Sequence, residues 1–131
     1  MAELSFRTID HWTIARFQGS TLTDSQVIER ASAEITERIA RMPLRPMLLI
    51  NFKGVEFVSS QVIGLLLNAN KKIAEKSGTL MLCRVSPKIR QALEITGLLG
   101  QFTMARSETE VIGPVARTSS RAGASDIGWL D

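Results

Sequence analysis

The stretch VEFVSSQVIG, Val55 to Gly64, sets two adjacent hydroxyls, Ser59 and Ser60, between an apolar extended run and an apolar helical run. One of them can serve as the N-cap of the helix, a position that favours serine. A helix N-terminus also offers free amides and the positive end of the macrodipole, which together accommodate a phosphate. The junction therefore suits a structural cap and a modification site alike. Other reactive groups are sparse. His11 is the single histidine and Cys83 the single cysteine, so the usual Cys/His zinc sets cannot be assembled and no disulfide can form within the chain. Cys83 lies in TLMLCRV, where a small thiol packs as a hydrophobe. No Ser-His-Asp spacing and no phosphate-binding glycine loop is present, so nucleophilic and phosphoryl-transfer catalysis lack their parts. The expectation is a protein that is not an enzyme and holds no metal or cofactor, with the two serines read either as a helix cap or as a site that another protein modifies.

Length and composition bound the rest. A chain of 131 residues suits one domain, which at this size buries about two thirds of the surface its unfolded form exposes. Its 44% hydrophobic and 22% charged residues are ordinary for a globular protein. The net charge of +3 is spread over Arg38, Arg41 and Arg45 in one region and Arg106, Arg117 and Arg121 in another, while aromatics make up only 5%. Base stacking would have few platforms, so no nucleic-acid partner is expected. No window approaches the run of about eighteen apolar residues that a membrane helix needs. The opening MAELSFRTID has neither the basic nor the apolar region of a secretion signal. A cytoplasmic protein without membrane insertion is the expectation.

The hydroxyls must be positioned by the elements around them. Leu4 and Phe6, then Trp12 and Ile14, alternate about Asp10-His11 and predict a short antiparallel hairpin. From Asp24 the period changes: Val27, Ala31, Ile35 and Ile39 form the apolar face of a helix, with Thr23 and Gln26 spaced as a capping box and Pro43 and Pro46 ending the segment. PMLLINF reads as a strand buried on both faces. After the serines, Val62, Ile63, Leu65, Leu66, Ala69 and Ile73 carry helical spacing, stopped by Ser77-Gly78. TLMLCRV is a second buried strand. Ser86-Pro87 starts a helix that Gly97 ends. Phe102 to Ala105 reads as a last strand, and Ser107 with Glu110 as a capping box before a short helix that Pro114 interrupts. This order predicts an α/β domain over residues 1–113, a mixed and mostly parallel sheet of four or five strands with about four helices, the longer ones on one face. Residues 114–131 are small and polar as far as Asp126, too poor in apolar groups to offset their ordering entropy, and predict a flexible tail that ends in IGWLD.

The blocks LLINFKGVEFVSSQVIGLLL and GTLMLCRVSPKIRQALEITGLL, in this order of elements, resemble the STAS domains of bacterial anti-sigma factor antagonists. The resemblance runs from about Leu4 to Ile112. Its most specific part is the strand leading into the Ser-Pro helix start and out through Thr-Gly-Leu. In the sporulation and stress-response members the turn reads Asp-Ser-Ser/Thr-Gly, and a partner kinase that is also the anti-sigma factor phosphorylates the hydroxyl residue after the aspartate. Carried over by position, Ser59 stands for the aspartate, Ser60 for the phosphoacceptor (Ser59 being the less favoured acceptor), Gln61 for the next polar residue and Val62 for the glycine. Two departures stand out: the carboxylate beside the acceptor is lost, and Val62 adds bulk where the family has none. The resemblance implies a protein partner, a serine kinase or anti-sigma factor with a phosphatase as a possible third party, docking on Gly19, Ser20, Thr21, Asp24, Ser59, Ser60 and Gln61. It implies a monomer or weak dimer. The alternative is a STAS scaffold or transporter-associated binding module that is never phosphorylated.

Overall fold

The structure, a computed structural model, describes residues 4–112. The predicted tail, and the boundary placed after residue 113, lie outside the described residues. The hairpin forms as expected. β1 (Leu4–Ile9) pairs antiparallel with β2 (Trp12–Phe17), and Asp10 takes the left-handed φ of 59° that so tight a turn needs. The chain continues through β3 (Thr21–Leu22), α1 (Ser25–Arg41), β4 (Met47–Asn51), β5 (Phe57–Val58), α2 (Ser60–Glu75), β6 (Thr79–Cys83), α3 (Pro87–Ile95), β7 (Thr103–Ala105) and α4 (Glu108–Ile112), with one 3-10 turn over Leu99–Gln101. The main sheet has the order β1-β2-β4-β6-β7, parallel except for the first pair. β3 and β5 form a separate parallel pair.

Alternation sorts the strand residues between two faces. Ala15, Phe17, Leu48, Ile50, Leu80 and Leu82 pack under α1, α2 and α3, as part of one large core that also takes in Phe52. Trp12, Ile14, Leu49 and Cys83 face the other way, against Ile112 of α4. Leu48, Leu49 and Ile50 are all 0% exposed, so the continuous apolar run of β4 is indeed a strand covered on both faces. The three long helices share one face and the short α4 lies on the other.

Two local expectations are corrected. Asp24, not Thr23, is the N-cap of α1: its carboxylate accepts from the amides of Gln26 at 2.9 Å and Val27 at 3.3 Å. The helix is thereby set so that Ile28, rather than Val27, joins Ala31, Ile35 and Ile39 in the core. Ser77-Gly78 does stop α2, but Ser77 is the residue in the left-handed region, at φ 59°. Gly78 is needed for another reason. A Cβ there would stand 2.3 Å from the Pro46 carbonyl oxygen and 2.7 Å from the proline ring.

This corner joins the two crossovers. The Gly78 amide closes α2 on the Ile73 carbonyl, and the Thr79 amide donates to Pro46 at 2.8 Å. Lys76 reaches from the end of α2 to the end of α1, its Nζ donating to the carbonyls of Ile39, Ala40 and Met42. A cation on the carbonyls at the carboxyl end of α1 also meets the negative end of its dipole. Lys76→Met keeps the stem and removes the ammonium. It is expected to cost about 1–2 kcal/mol, seen as a lower urea midpoint with an unchanged slope.

The remaining caps follow their sequence signals. The Ser86 hydroxyl accepts from the Ile89 amide at 3.2 Å. Gly97, at φ 74°, closes α3 with the Gly97 and Leu98 amides on the carbonyls of Glu94 and Leu93. At α4 the Ser107 hydroxyl accepts from the Glu110 amide at 3.3 Å, while the Glu110 carboxylate takes the Arg106 amide at 2.7 Å and its guanidinium at 3.1 Å. These bonds from Arg106, the amide first, hold the Glu110 carboxyl below its ordinary value. The sign follows: this support for α4 is present above the ordinary carboxyl range and is lost as pH falls through the lowered value.

Candidate functional site

The two serines are presented by β5 and α2, and they point differently. Ser59 is the N-cap residue of α2 by backbone conformation, φ −83° and ψ 167°, yet its side chain makes no capping bond. Its amide donates to the Leu22 carbonyl at 2.9 Å, and its carbonyl accepts from Val62 at 3.0 Å. Its Oγ is buried with no hydrogen-bond partner among the described residues. Ser60 is the first helical residue and is exposed. Of the two hydroxyls, Ser60 is the one that meets solvent. Neither acts as the cap, so Ser60→Ala does not carry the cost of about 1 kcal/mol attached to losing one.

The β3–β5 pair brings the remaining expected residues to this place. Thr21 pairs with Phe57 and Leu22 with Val58. The Ser20 carbonyl accepts from the amides of Glu56 at 2.8 Å and Phe57 at 3.3 Å. Gly19 turns the chain at φ 99°, a conformation costly for any residue with a Cβ. Gln61 donates from Nε2 to the Ser25 carbonyl at 3.4 Å, tying the start of α2 to the start of α1, whose cap is Asp24. Gly19, Ser20, Thr21, Asp24, Ser60 and Gln61 are all exposed on this one end of the domain, with Ser59 partly buried among them.

Val62, which stands where the resembling family has glycine, is 0% exposed. Its bulk fills the core and does not obstruct the surface. The surface position one turn below Ser60 is Gly64, where a Cβ would meet nothing within 4 Å. Gly64 lines an open groove of about 500 Å³ between α1 and α2 with Ile28, Ser32, Ala33, Gln61 and Leu65. A glycine in a helix interior costs about 0.5–1 kcal/mol relative to alanine, and packing gives no reason for it here.

Sequence reasoning passed over Phe57. It is 50% exposed beside Ser59 and Ser60, a large apolar group on a surface otherwise built of small and polar residues. The signal was present in VEFVSS, whose alternation puts Phe57 opposite the buried Val58. The Ser86 hydroxyl, besides capping α3, donates to the Glu56 carbonyl at 2.9 Å, so the turn before α3 braces the loop before Phe57.

Among the described residues no group of three or more His, Cys, Asp or Glu could hold a metal ion, and no helix is long and apolar enough to cross a membrane. The site is a set of exposed hydroxyls, amides and one aromatic on loops joined by backbone hydrogen bonds. Such a surface suits recognition by another protein.

Comparison with known proteins agrees. Residues 4–111 match the family described as the STAS domain. BtrV of Bordetella bronchiseptica, by its name a candidate anti-sigma factor antagonist, is 28% identical over 105 residues, covering 80% of this chain and 87% of BtrV. An anti-sigma-factor antagonist (STAS) domain protein from Planctomyces limnophilus superposes with a TM-score of 0.78 at 23% identity, over 86% of this chain and 97% of that one. The Bacillus cell fate determinant SpoIIAA in its phosphorylated form superposes with a TM-score of 0.65 at 23% identity, over 86% and 98%. At such identities the two structures show the fold.

Proposed function

The chain belongs to the STAS domain family, and from that premise we propose that it is an anti-sigma factor antagonist that docks on a serine kinase or anti-sigma factor and is switched by phosphorylation of Ser60. The observation that carries this reading is the contrast between the two serines. Ser60 is exposed at the first turn of α2, whereas the Ser59 Oγ is turned inward. A phosphate on Ser60 would add about −1.5 to −2 charges at the N-terminus of a helix, where amides and dipole tolerate it within the chain. On the docking side the same charge must be desolvated against the partner, so modification weakens binding. The protein catalyses nothing in this scheme; it is substrate and ligand.

The experiment is incubation of the chain with each serine kinase of the histidine-kinase-like ATPase class from its own source, with ATP, followed by mass spectrometry. Phosphate is expected on Ser60, none on Ser59, and none in Ser60→Ala, which should still bind the kinase. A second reading, an unmodified scaffold, is favoured by one feature: Ser59 supplies no carboxylate beside the acceptor, where the resembling switch proteins carry aspartate. Chain that stays unlabelled by every such kinase yet binds a partner would establish that reading and remove the first.

A further inference from the structure

We propose that the segment IGWL at 127–130 folds back over the α4 side of the sheet and covers the half of that face that α4 leaves open, with the Trp129 indole set between Met47 and Met81. The strand register draws this half. Ile9 pairs with Trp12 and Trp12 with Met47, while Met81 stands beside Leu49, one step further along β4 on the same side. All of them belong to the apolar cluster on the side of the sheet away from the long helices. Its members are covered unequally. Ile14, Leu49 and Cys83 are 0% exposed, whereas Ile9, Met47 and Met81 are only partly buried. Thr79 and Thr103, which pair with Met47 and Met81 on the same side, are exposed.

Among the described residues, the helix that covers this face is α4, and it is too short for the task. Its five residues span about 7.5 Å, against a face about 19 Å wide over five strands. Its direction matters as much as its length. Glu108, at its start, binds Asn51, the last residue of β4. Ile112, at its end, joins the cluster of Leu49 and of Trp12, the first residue of β2. The helix thus runs from the carboxyl ends of the parallel strands back toward their amino ends. The chain leaves it heading for Ile9, Met47 and Met81.

The 19 residues that follow Ile112 lie outside the described residues, and their sequence supplies the occupant. Bulky apolar groups gather at Ile127, Trp129 and Leu130, after a mostly small and polar stretch over 113–126. A connection of that length reaches about 46 Å when extended and spans about 20 Å as a relaxed coil, which matches the width of the face. Tethering sets an effective concentration on the order of millimolar, so a contact too weak to hold two molecules together is populated within one chain. The floor also suits an indole. Methionine thioethers adapt their shape and make favourable contacts at aromatic ring edges, and the threonine hydroxyls can accept from the indole N–H. Docking there removes an apolar patch from water. Nothing in this inference rests on the reading of Ser60 given above.

The test is carbon-13 methyl spectroscopy of the full chain labelled at methionine, comparing wild type with Trp129→Ser and Trp129→Phe. Ring-current displacement of the Met47 and Met81 methyl signals is expected in the wild type, lost in Trp129→Ser and kept in part by Trp129→Phe. Met42 and Met104, which pack against the core on the other side of the sheet, should not move. Hydrogen peroxide should oxidise Met47 and Met81 about threefold faster in Trp129→Ser than in wild type, with Met42 and Met104 unchanged. The wild-type displacements should survive dilution by about tenfold, as contacts within one chain do. Their loss on dilution would overturn the proposal and put a second copy of the chain on the face. Met47 and Met81 signals that ignore Trp129→Ser would overturn it outright and leave the segment available to a separate protein.

Discussion

Gly78→Ala is expected to lower the stability of the domain by about 3 kcal/mol and its melting midpoint by about 10–15 °C. The added methyl would stand 2.3 Å from the Pro46 carbonyl oxygen and 2.7 Å from ring atoms Cγ and Cδ. None of these is the free end of a flexible side chain, so main chain must move. The moving parts are the Thr79–Pro46 hydrogen bond that starts the β4–β6 pairing and the Gly78–Ile73 bond that closes α2. Circular dichroism melts of wild type and variant measure the effect. Ser77→Gly is the matched control: at φ 59° a glycine relieves strain and should raise the midpoint slightly. A loss below about 1 kcal/mol in Gly78→Ala would mean that the Pro46 turn yields at little cost.

Glu108→Leu is expected to cost about 3 kcal/mol. The carboxylate is 0% exposed, accepts from Arg7 at 3.1 Å through one oxygen and from the Asn51 amide at 2.7 Å through the other. Asn51 is itself 0% exposed and accepts from the Lys53 amide at 2.7 Å. A leucine fits the apolar surroundings of α4, but it takes from a largely buried guanidinium its carboxylate and from a buried amide its acceptor. Glu108→Gln keeps an oxygen for Asn51 and should lose about half as much. Urea unfolding of both, at pH 7, decides the order. If Glu108→Leu proves neutral, α4 is held by Ile112 and its apolar neighbours alone. The same substitution should loosen the Lys53-Gly54 turn, visible as faster amide exchange there.

Much of this architecture was legible in the chain. PMLLINF could only be a strand covered on both sides, and the stripes ending in Ile39 and Ile73 each specified one buried helix face. Ser86-Pro87 and Gly97 marked the ends of α3 by chemistry that acts within a few residues. What could not be read depended on contacts distant in sequence. β3 and β5 have two residues each, too short for any period, and exist because Leu22 and Val58 meet across the fold. Glu108 carries no local sign of burial in the sequence, and only the position of α4 on the sheet reveals it as buried. Gly78 read as a helix stop because the proline that excludes a side chain is 32 positions away, at Pro46. At the site, the change from an extended to a helical apolar period marked a junction at Ser59 and Ser60, and α2 begins at Ser60. The inward turn of the Ser59 hydroxyl was beyond that signal, since a cap residue normally uses that oxygen.

The loops that assemble the site are joined mainly through their backbones. Ser20 binds Glu56 and Phe57, and Leu22 binds Ser59, all by amide and carbonyl groups. Such bonds are indifferent to the side chains that hang from them. Residues at positions 20, 21, 56 and 57 can therefore be exchanged for others without dismantling the platform. Gene duplication followed by substitution at those few positions would yield paralogues that share one scaffold and answer to different partners. Insulation between parallel signalling circuits could then evolve without passing through an unstable intermediate.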